Sequence, residues 1–369
     1  MTELTTAFKP DWVSLPGDTI VDMLEERGWT QVELAKRTGY TTKHISQLIS
    51  GRAPISEETA VKLERVLGST VRFWLTREAH YREALVRERE RIALRNVADW
   101  LKRLPLKDMI RFGWVRSIAD QGEQVAECFR FFGVASLAAW EKEYAKPTVA
   151  FRASSKFAKD GGAVAAWLRQ GERRAAEIAC RPFDKTAFRM ALLALRALTI
   201  EPDPKVFIPR LVETCAVAGV AVVFEAAPRG CPASGVTRWL TPEKALLMLS
   251  LRHKTNDRLW FSFFHEAGHL LLHGKRLVFI ESEDSPDKEK EEQADTFARD
   301  FLIPPKQVTR LANLPKTKAA VRAFATDIGI APGIVVGRMQ EQGWLSWQLL
   351  NGLKVRYQWV SWDIGSAAA

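Results

Sequence analysis

Residues 260–274 constrain this chain more than any other stretch, because an apolar run there carries the pattern His265-Glu266-x-x-His269. On a helix, positions i and i+4 lie on one face about one turn apart. His265 and His269 can therefore reach a single metal ion, with Glu266 beside it. The unbroken apolar residues around the motif favour a helix, and Gly274 stands where a C-cap is expected. Two imidazoles suit zinc, and a catalytic zinc site adds one more protein ligand and leaves a position for water. The bland alternative is a chance match on a buried helix. With only six histidines in 369 residues such a match is rare, and the metal reading is preferred.

Three sources compete for the third ligand. His273 lies one turn beyond His269 on a face that has drifted round, and the longer three-histidine pattern needs different spacing. Glu281 and Glu283 sit in a polar stretch, 281–286, that reads as a solvated loop. A helix opened by Ser285-Pro286 would place Glu291, Ala294, Asp295, Ala298 and Leu302 on one face. Glu291 is the best candidate ligand, and Asp295 could accept the other ring N–H of a ligand histidine. Glu292 is one position off this face, and a register error of one stays open.

The motif is preceded by a helix around residues 207–215 and β-branched runs at 219–225, 234–240 and 245–252, which read as a small antiparallel sheet. Asn256 or Asp257 is expected to cap the metal helix. An extended substrate would lie along an edge strand at 234–240. Arg238, Arg252 and His253 are weak candidates for an electrophile, each more often structural or solvated.

The motif followed by Glu291-x-x-Ala294-Asp295-x-Phe297-Ala298-x-x-Phe301-Leu302-Ile303-Pro304 resembles the ImmA/IrrE metallopeptidases over residues 205–345. The stretch 329–338 resembles that family's C-terminal helix, while Gln293 stands where the family often has an acid. The resemblance implies a gluzincin-like zinc peptidase directed at repressors, with Glu266 as general base, His265, His269 and Glu291 as ligands and Asp295 supporting a ligand histidine. Glu266 is intact here, whereas an inactive relative would lack it or a ligand.

The first hundred residues are punctuated differently. Ile20, Met23 and Leu24 recur at helical spacing before Gly28; Thr30-Gln31-Val32-Glu33 is a capping box that opens a second helix, which Gly39 ends. Thr41 or Thr42 can cap a third helix over 43–49, closed by Gly51, and the pair makes a helix-turn-helix. Thr30-Gln31-x-Glu33-Leu34-Ala35 and Ile45-Ser46-Gln47-Leu48-Ile49-x-Gly51 resemble the Cro/cI type. The continuation from Ile55 to Leu67-Gly68, then Phe73-Trp74-Leu75, resembles the HigA-type antitoxins; the likeness covers residues 12–85. In such a domain the third helix enters the major groove. Thr42, Lys43 and Gln47 have the chemistry for base edges, while Gln31 and Arg52 are better placed for phosphates. Leu34, Ala35, Ile45 and Leu48 read as core, and His44 as a surface residue. The resemblance implies operator DNA and a homodimer.

Between these ends, residues 81–95 alternate Glu and Arg, a solvated helix face or semi-rigid connector. Several helices follow; Trp100, Trp114, Trp140 and Trp167 are most simply core, and 152–162 reads as an exposed loop. The net charge of +10 permits an anionic partner without requiring one. Cys128, Cys180, Cys215 and Cys231 form no C-x-x-C pair, as expected of a reducing compartment. The first twelve residues lack the pattern of a signal peptide and no apolar run approaches a membrane span, so a cytoplasmic chain with no membrane partner is expected.

These readings give a mostly α chain with a small antiparallel sheet (α+β): a DNA-binding domain at 1–80, a helical linker or partner-binding region at 81–200, a metallopeptidase domain at 201–345 and an extension at 346–369. The expected function is a DNA-binding regulator, an antitoxin of a toxin-antitoxin operon, with a zinc endopeptidase domain that cleaves a regulatory protein. The alternative is an antitoxin that neutralises its toxin by contact, with a structural or sensory metal domain.

Overall fold

The computed structural model describes residues 14–145, 161–273, 279–280 and 288–359. The expectations for Gly274, Glu281, Glu283, Ser285-Pro286, the first twelve residues and residues 152–160 lie outside the described residues. The chain forms two compact units. The first holds the residues up to Ala98 together with Asp120–Glu123; the second holds Asp99–Ala119 and the residues from Gln124 onward.

The first unit is built from five helices: α1 (Pro16–Arg27), α2 (Gln31–Thr38), α3 (Thr42–Ile49), α4 (Glu57–Leu67) and α5 (Val71–Asn96). Their starts follow from local chemistry. Thr30 Oγ1 accepts from Glu33 N at 3.3 Å and Thr41 Oγ1 from His44 N at 3.1 Å. Caps of this kind contribute about 1 kcal/mol each. The reciprocal half of the capping box expected at Thr30 is not made: the Glu33 carboxylate instead accepts from Arg37 Nε at 2.6 Å, one turn on. Gly28 and Gly39 end α1 and α2 in the left-handed region, where a side chain would be strained. Leu34, Ala35, Ile45 and Leu48 are all buried, alongside Ile20, Leu63 and Trp74. The charged stretch 81–95 is the second half of α5, laced by Glu83–Arg87 and Glu88–Arg91 pairs.

The next helices, α6 (Leu106–Arg111), α7 (Gln121–Phe132), α8 (Leu137–Trp140) and α9 (Gly161–Glu177), surround an aromatic cluster. Trp100, Trp114, Trp140 and Trp167 are buried as expected, and Trp100 lies edge-on to Trp140 at 5.3 Å. Burial of each such side chain contributes about 1.5–3 kcal/mol or more. Gly161 and Gly162, expected in a loop, instead open α9. A Cβ at Gly162 would sit 1.8 Å from the Arg103 carbonyl oxygen, so this helix start is packed against backbone.

Helices α10 (Lys185–Leu198) and α11 (Pro204–Val217) lead to β1 (Val220–Phe224), β2 (Gly235–Thr241) and β3 (Lys244–Leu249). The long central helix α12 (Asn256–Leu272), the short β4 (Phe279–Ile280) and α13 (Lys288–Leu302) follow, and α14 (Val308–Ala312), α15 (Lys318–Ile328) and α16 (Pro332–Glu341) close the unit. The sheet order is β1-β3-β2-β4. The fold is mostly helical with a small sheet, but the sheet is mixed. β2 and β3 form an antiparallel hairpin, whereas β1 lies parallel to β3, with Val220 opposite Ala245 and Phe224 opposite Leu249. Both β1 and β3 are almost wholly buried, the apolar pattern typical of covered strands.

The apolar face of α12 is the centre of this unit. Trp260, Phe263, Phe264 and Ala267 are fully buried among Phe207, Leu247, Ala298, Phe324 and Val335. Among the described residues no single helix is long and apolar enough to cross a membrane.

Candidate metal centre and nucleic-acid interface

Helix α12 begins one residue earlier than expected. Thr255 occupies the N-cap, and neither Asn256 nor Asp257 serves as cap. Both side chains are engaged with the chain's C-terminal segment instead: Val355 N donates to Asn256 Oδ1 at 3.1 Å, and Lys354 Nζ pairs with Asp257 Oδ2 at 2.6 Å. The helix start is thus clamped by residues about a hundred positions away, which no local pattern reveals.

One turn apart on α12, His265 and His269 are 2% and 1% exposed, and their Nε2 atoms face each other at 3.0 Å. Helix α13 brings in Glu291, whose Oε2 lies 3.1 Å from His265 Nε2 and 3.6 Å from His269 Nε2. Three ligand atoms therefore converge from two helices. Tetrahedral zinc with bonds near 2.0–2.1 Å separates neighbouring ligand atoms by about 3.3 Å. The observed spacings bracket that value, so the residues present fit the ion. Asp295, one turn after Glu291, accepts from His265 Nδ1 at 2.8 Å. With Nδ1 as donor, the Nε2 lone pair faces the convergence point.

The other candidates separate cleanly. Glu292 turns outward and pairs with Arg299 at 2.5 Å. His273 follows α12; its ring lies 5.2 Å from that of His269, its Nε2 is 3.2 Å from the Lys290 carbonyl oxygen, and it is not one of the converging ligands. Arg238 is held by Glu143 and Glu172, a structural role. Arg252 donates to the Pro232 carbonyl. His253 lines the cavity described below.

Electrostatics agree with a ligand set. Burial lowers the pKa of His269, which keeps its ring neutral and able to coordinate. Burial alone would raise the Glu291 carboxyl, but hydrogen bonds with His265 and His269 outweigh it and hold the group at about 2. Glu266 is fully buried between α12 and the start of β2. A Cβ at Gly235 would lie 2.6 Å from Glu266 Oε1, so the absence of a side chain there makes room for the carboxylate. This contact was not legible in the sequence; a glycine opening a β-branched strand is its only signal.

A cavity of about 560 Å³ opens beside the cluster, walled by His265, Glu291, Asp295, Phe261, Ile334 and Arg338, among others. The expected substrate strand, β2, is not a free edge: β4 pairs with Val236 and Thr237. Helix α16 forms the opposite wall. Its Gly333 and Gly337 approach Asn256 and Asp257 so closely that a Cβ would fall 2.5–2.6 Å from their side-chain oxygens. No sequence pattern marks Arg338, the next residue, as part of the site.

In the first unit, Gln31 begins α2 and Thr42 begins α3, while Arg52 follows the turn after α3. Gln31, Thr42, Lys43 and Arg52 are exposed and Gln47 is half-buried. Thr42, Lys43 and Gln47 thus stand along α3 opposite its buried Ile45 and Leu48, the arrangement a groove-reading helix requires. His44 is half-buried, its ring 4.5 Å from that of Tyr40.

Comparison with known proteins agrees with both halves. Residues 20–74 match the helix-turn-helix family model, and residues 233–339 match the IrrE N-terminal-like domain. The chain carries both domains. Among curated proteins, the uncharacterized HTH-type transcriptional regulator YddM of Escherichia coli is 35% identical over 60 residues. That match covers 16% of this chain and 64% of the relative, which is less than two thirds of its length. The likeness to HigA-type antitoxins is not carried by these matches.

Proposed function

We propose that the chain is a DNA-binding regulator, an antitoxin-type protein acting on its own operon, whose second unit is a zinc-dependent endopeptidase that cuts a regulatory protein. The observation that carries this reading is the convergence of His265, His269 and Glu291, with Asp295 behind His265 and Glu266 intact beside them. Zinc, when bound, supplies Lewis acidity towards a peptide carbonyl and towards water. His265, His269 and Glu291 would hold it. Asp295 keeps the His265 tautomer that presents Nε2. Glu266 is the group to accept a proton from water and return it to the departing amine.

In the first unit, Thr42, Lys43 and Gln47 would read base edges, and Gln31 and Arg52 would grip phosphates, as a homodimer on a palindromic operator. A second reading draws on the burial of Glu266. A carboxylate so enclosed suits a metal domain that senses or stabilises, with toxin neutralised by contact alone.

Glu266→Gln separates the two. Its isolated chain should keep zinc and operator binding, while the new N-termini that the wild-type chain generates in host proteins disappear. Identical N-termini in both would remove the peptidase reading. Lys43→Ala with Gln47→Ala should abolish operator shifts; undiminished sequence-specific binding would remove the DNA assignment.

A further inference from the structure

Arg338 is the unusual charge in the cavity. Its Nε and Nη1 are shielded from solvent and donate to nothing among the described residues. Several other charges on these walls are engaged. Arg258 faces Glu341 at 3.7 Å, Arg299 holds Glu292, and Asp257 is paired with Lys354. Glu291 and Asp295 face His265. Arg338 makes no ion pair with any described residue. Burial lowers its pKa and the neighbouring Arg299 adds to that, while Asp300 and Glu341 act on it only at a distance. The seat of α16 is close: Gly337 leaves no room for a side chain between that helix and Asp257, and Arg338, the next residue, stands on the cavity wall.

We propose that Arg338 is a specificity-determining residue that binds the carboxylate of an Asp or Glu side chain in a peptide lying across the metal centre. A peptide carbonyl would satisfy some N–H donors but leave the half-buried charge uncompensated, whereas a carboxylate satisfies both, and the guanidinium fork matches it in a bidentate way. The proposal rests on the reading of this cavity as the peptide-binding cleft. Shielding two guanidinium nitrogens without a partner is unfavourable for the empty protein, and the incoming acid relieves it.

The test uses the full zinc-loaded chain carrying Glu266→Gln, so that peptides are bound and not consumed. Two fluorescent pools of random peptides, one with Glu fixed at the centre and one with Gln, are compared by anisotropy. The Glu pool should bind about tenfold or more tightly, the size of a lost charge-assisted hydrogen bond. Arg338→Gln should erase the difference and Arg338→Lys recover part of it. Equal binding of the two pools, which needs no change at Arg338, overturns the proposal, as does a preference that survives Arg338→Gln. Arg338→Met supplies a measurement free of ligand: removal of a half-buried charge that has no ion-pair partner among the described residues should leave the melting temperature level or raise it. A marked fall would assign Arg338 to the packing and also overturn the proposal. Hydrolysis is read separately with Glu266 present, so a chain that prefers acidic peptides yet cuts nothing sinks the peptidase reading alone.

Discussion

Gly235→Ala probes the seat of Glu266 without touching a metal ligand. The new Cβ would lie 2.6 Å from Oε1 and 2.7 Å from Cγ of Glu266. Carbon atoms in contact prefer about 3.5–4.0 Å, so one partner must move by about 1 Å. Glu266 is fully enclosed and the Gly235 backbone is held by β3, opposite Leu249, so neither moves freely. Overpacking of this kind costs about 1–3 kcal/mol. For a unit of this size that lowers the melting temperature by roughly 2–10 °C. Zinc affinity should hold, because His265, His269 and Glu291 keep their places. Hydrolysis should fall about 100-fold, the usual consequence of misplacing a catalytic group by about 1 Å. Differential scanning fluorimetry, zinc content and turnover of a cleaved protein read the three arms. Glu266→Asp in the same chain shortens the offending side chain by one methylene and should restore much of the melting temperature. If Gly235→Ala melts and cuts as wild type, or if Glu266→Asp brings no relief, Glu266 is not lodged against Gly235 and the reasoning fails.

Asp295→Asn weakens the acceptor for His265 Nδ1 and should lower zinc affinity about 10–100-fold in a chelator competition, with Glu291→Gln falling further; equal affinities would deny Asp295 its orienting role. Glu225 offers a test by pH. Its carboxyl is raised by burial, against the opposing effects of Arg174 and a hydrogen bond from Trp114 Nε1 at 3.4 Å. A raised folded-state pKa means that the stabilisation is complete below the unfolded value and is lost as pH rises through the folded one. Glu225→Gln stays neutral throughout, so its urea midpoint should gain on wild type as pH rises above the ordinary carboxylate range. A variant that loses ground over that rise would reverse the sign. Thr41→Ala removes the cap on α3 and should cost about 1 kcal/mol in urea unfolding; no loss would mean that the Thr41 hydroxyl contributes nothing.

Much of the molecule was legible wherever physics acts within a turn or two of chain. Thr30 and Thr41 announce their helices because a hydroxyl needs only the next few backbone N–H groups. The buried faces of α2 and α3 follow from the spacing of Leu34, Ala35, Ile45 and Leu48. Where a local rule had a distant competitor, the competitor won. Asn256 and Asp257 look like caps, but Val355 and Lys354 claim their side chains. Competition within a turn also counts: Glu33 completes a capping box on paper, but Arg37, one turn on, offers its carboxylate a charged donor. The runs at 219–225 and 245–252 hold strands, the second ending at Leu249, yet their parallel pairing depends on the ten-residue path from β1 to β2, which carries no directional signal.

The metal motif shows the same division. By itself the sequence determined that His265 and His269 share a helix face and that Glu266 stands beside them, because 3.6 residues per turn is a property of the backbone. It also narrowed the third ligand to a few acids. Only the tertiary structure brings Glu291 rather than Glu292 to within 3.1 Å of His265, sets Asp295 behind that ring, closes Glu266 over Gly235 and leaves Arg338 facing the cavity. Each of those depends on how separate helices and a strand pack. Packing is decided by the shape of whole faces, and residues far apart in the chain contribute to each face together.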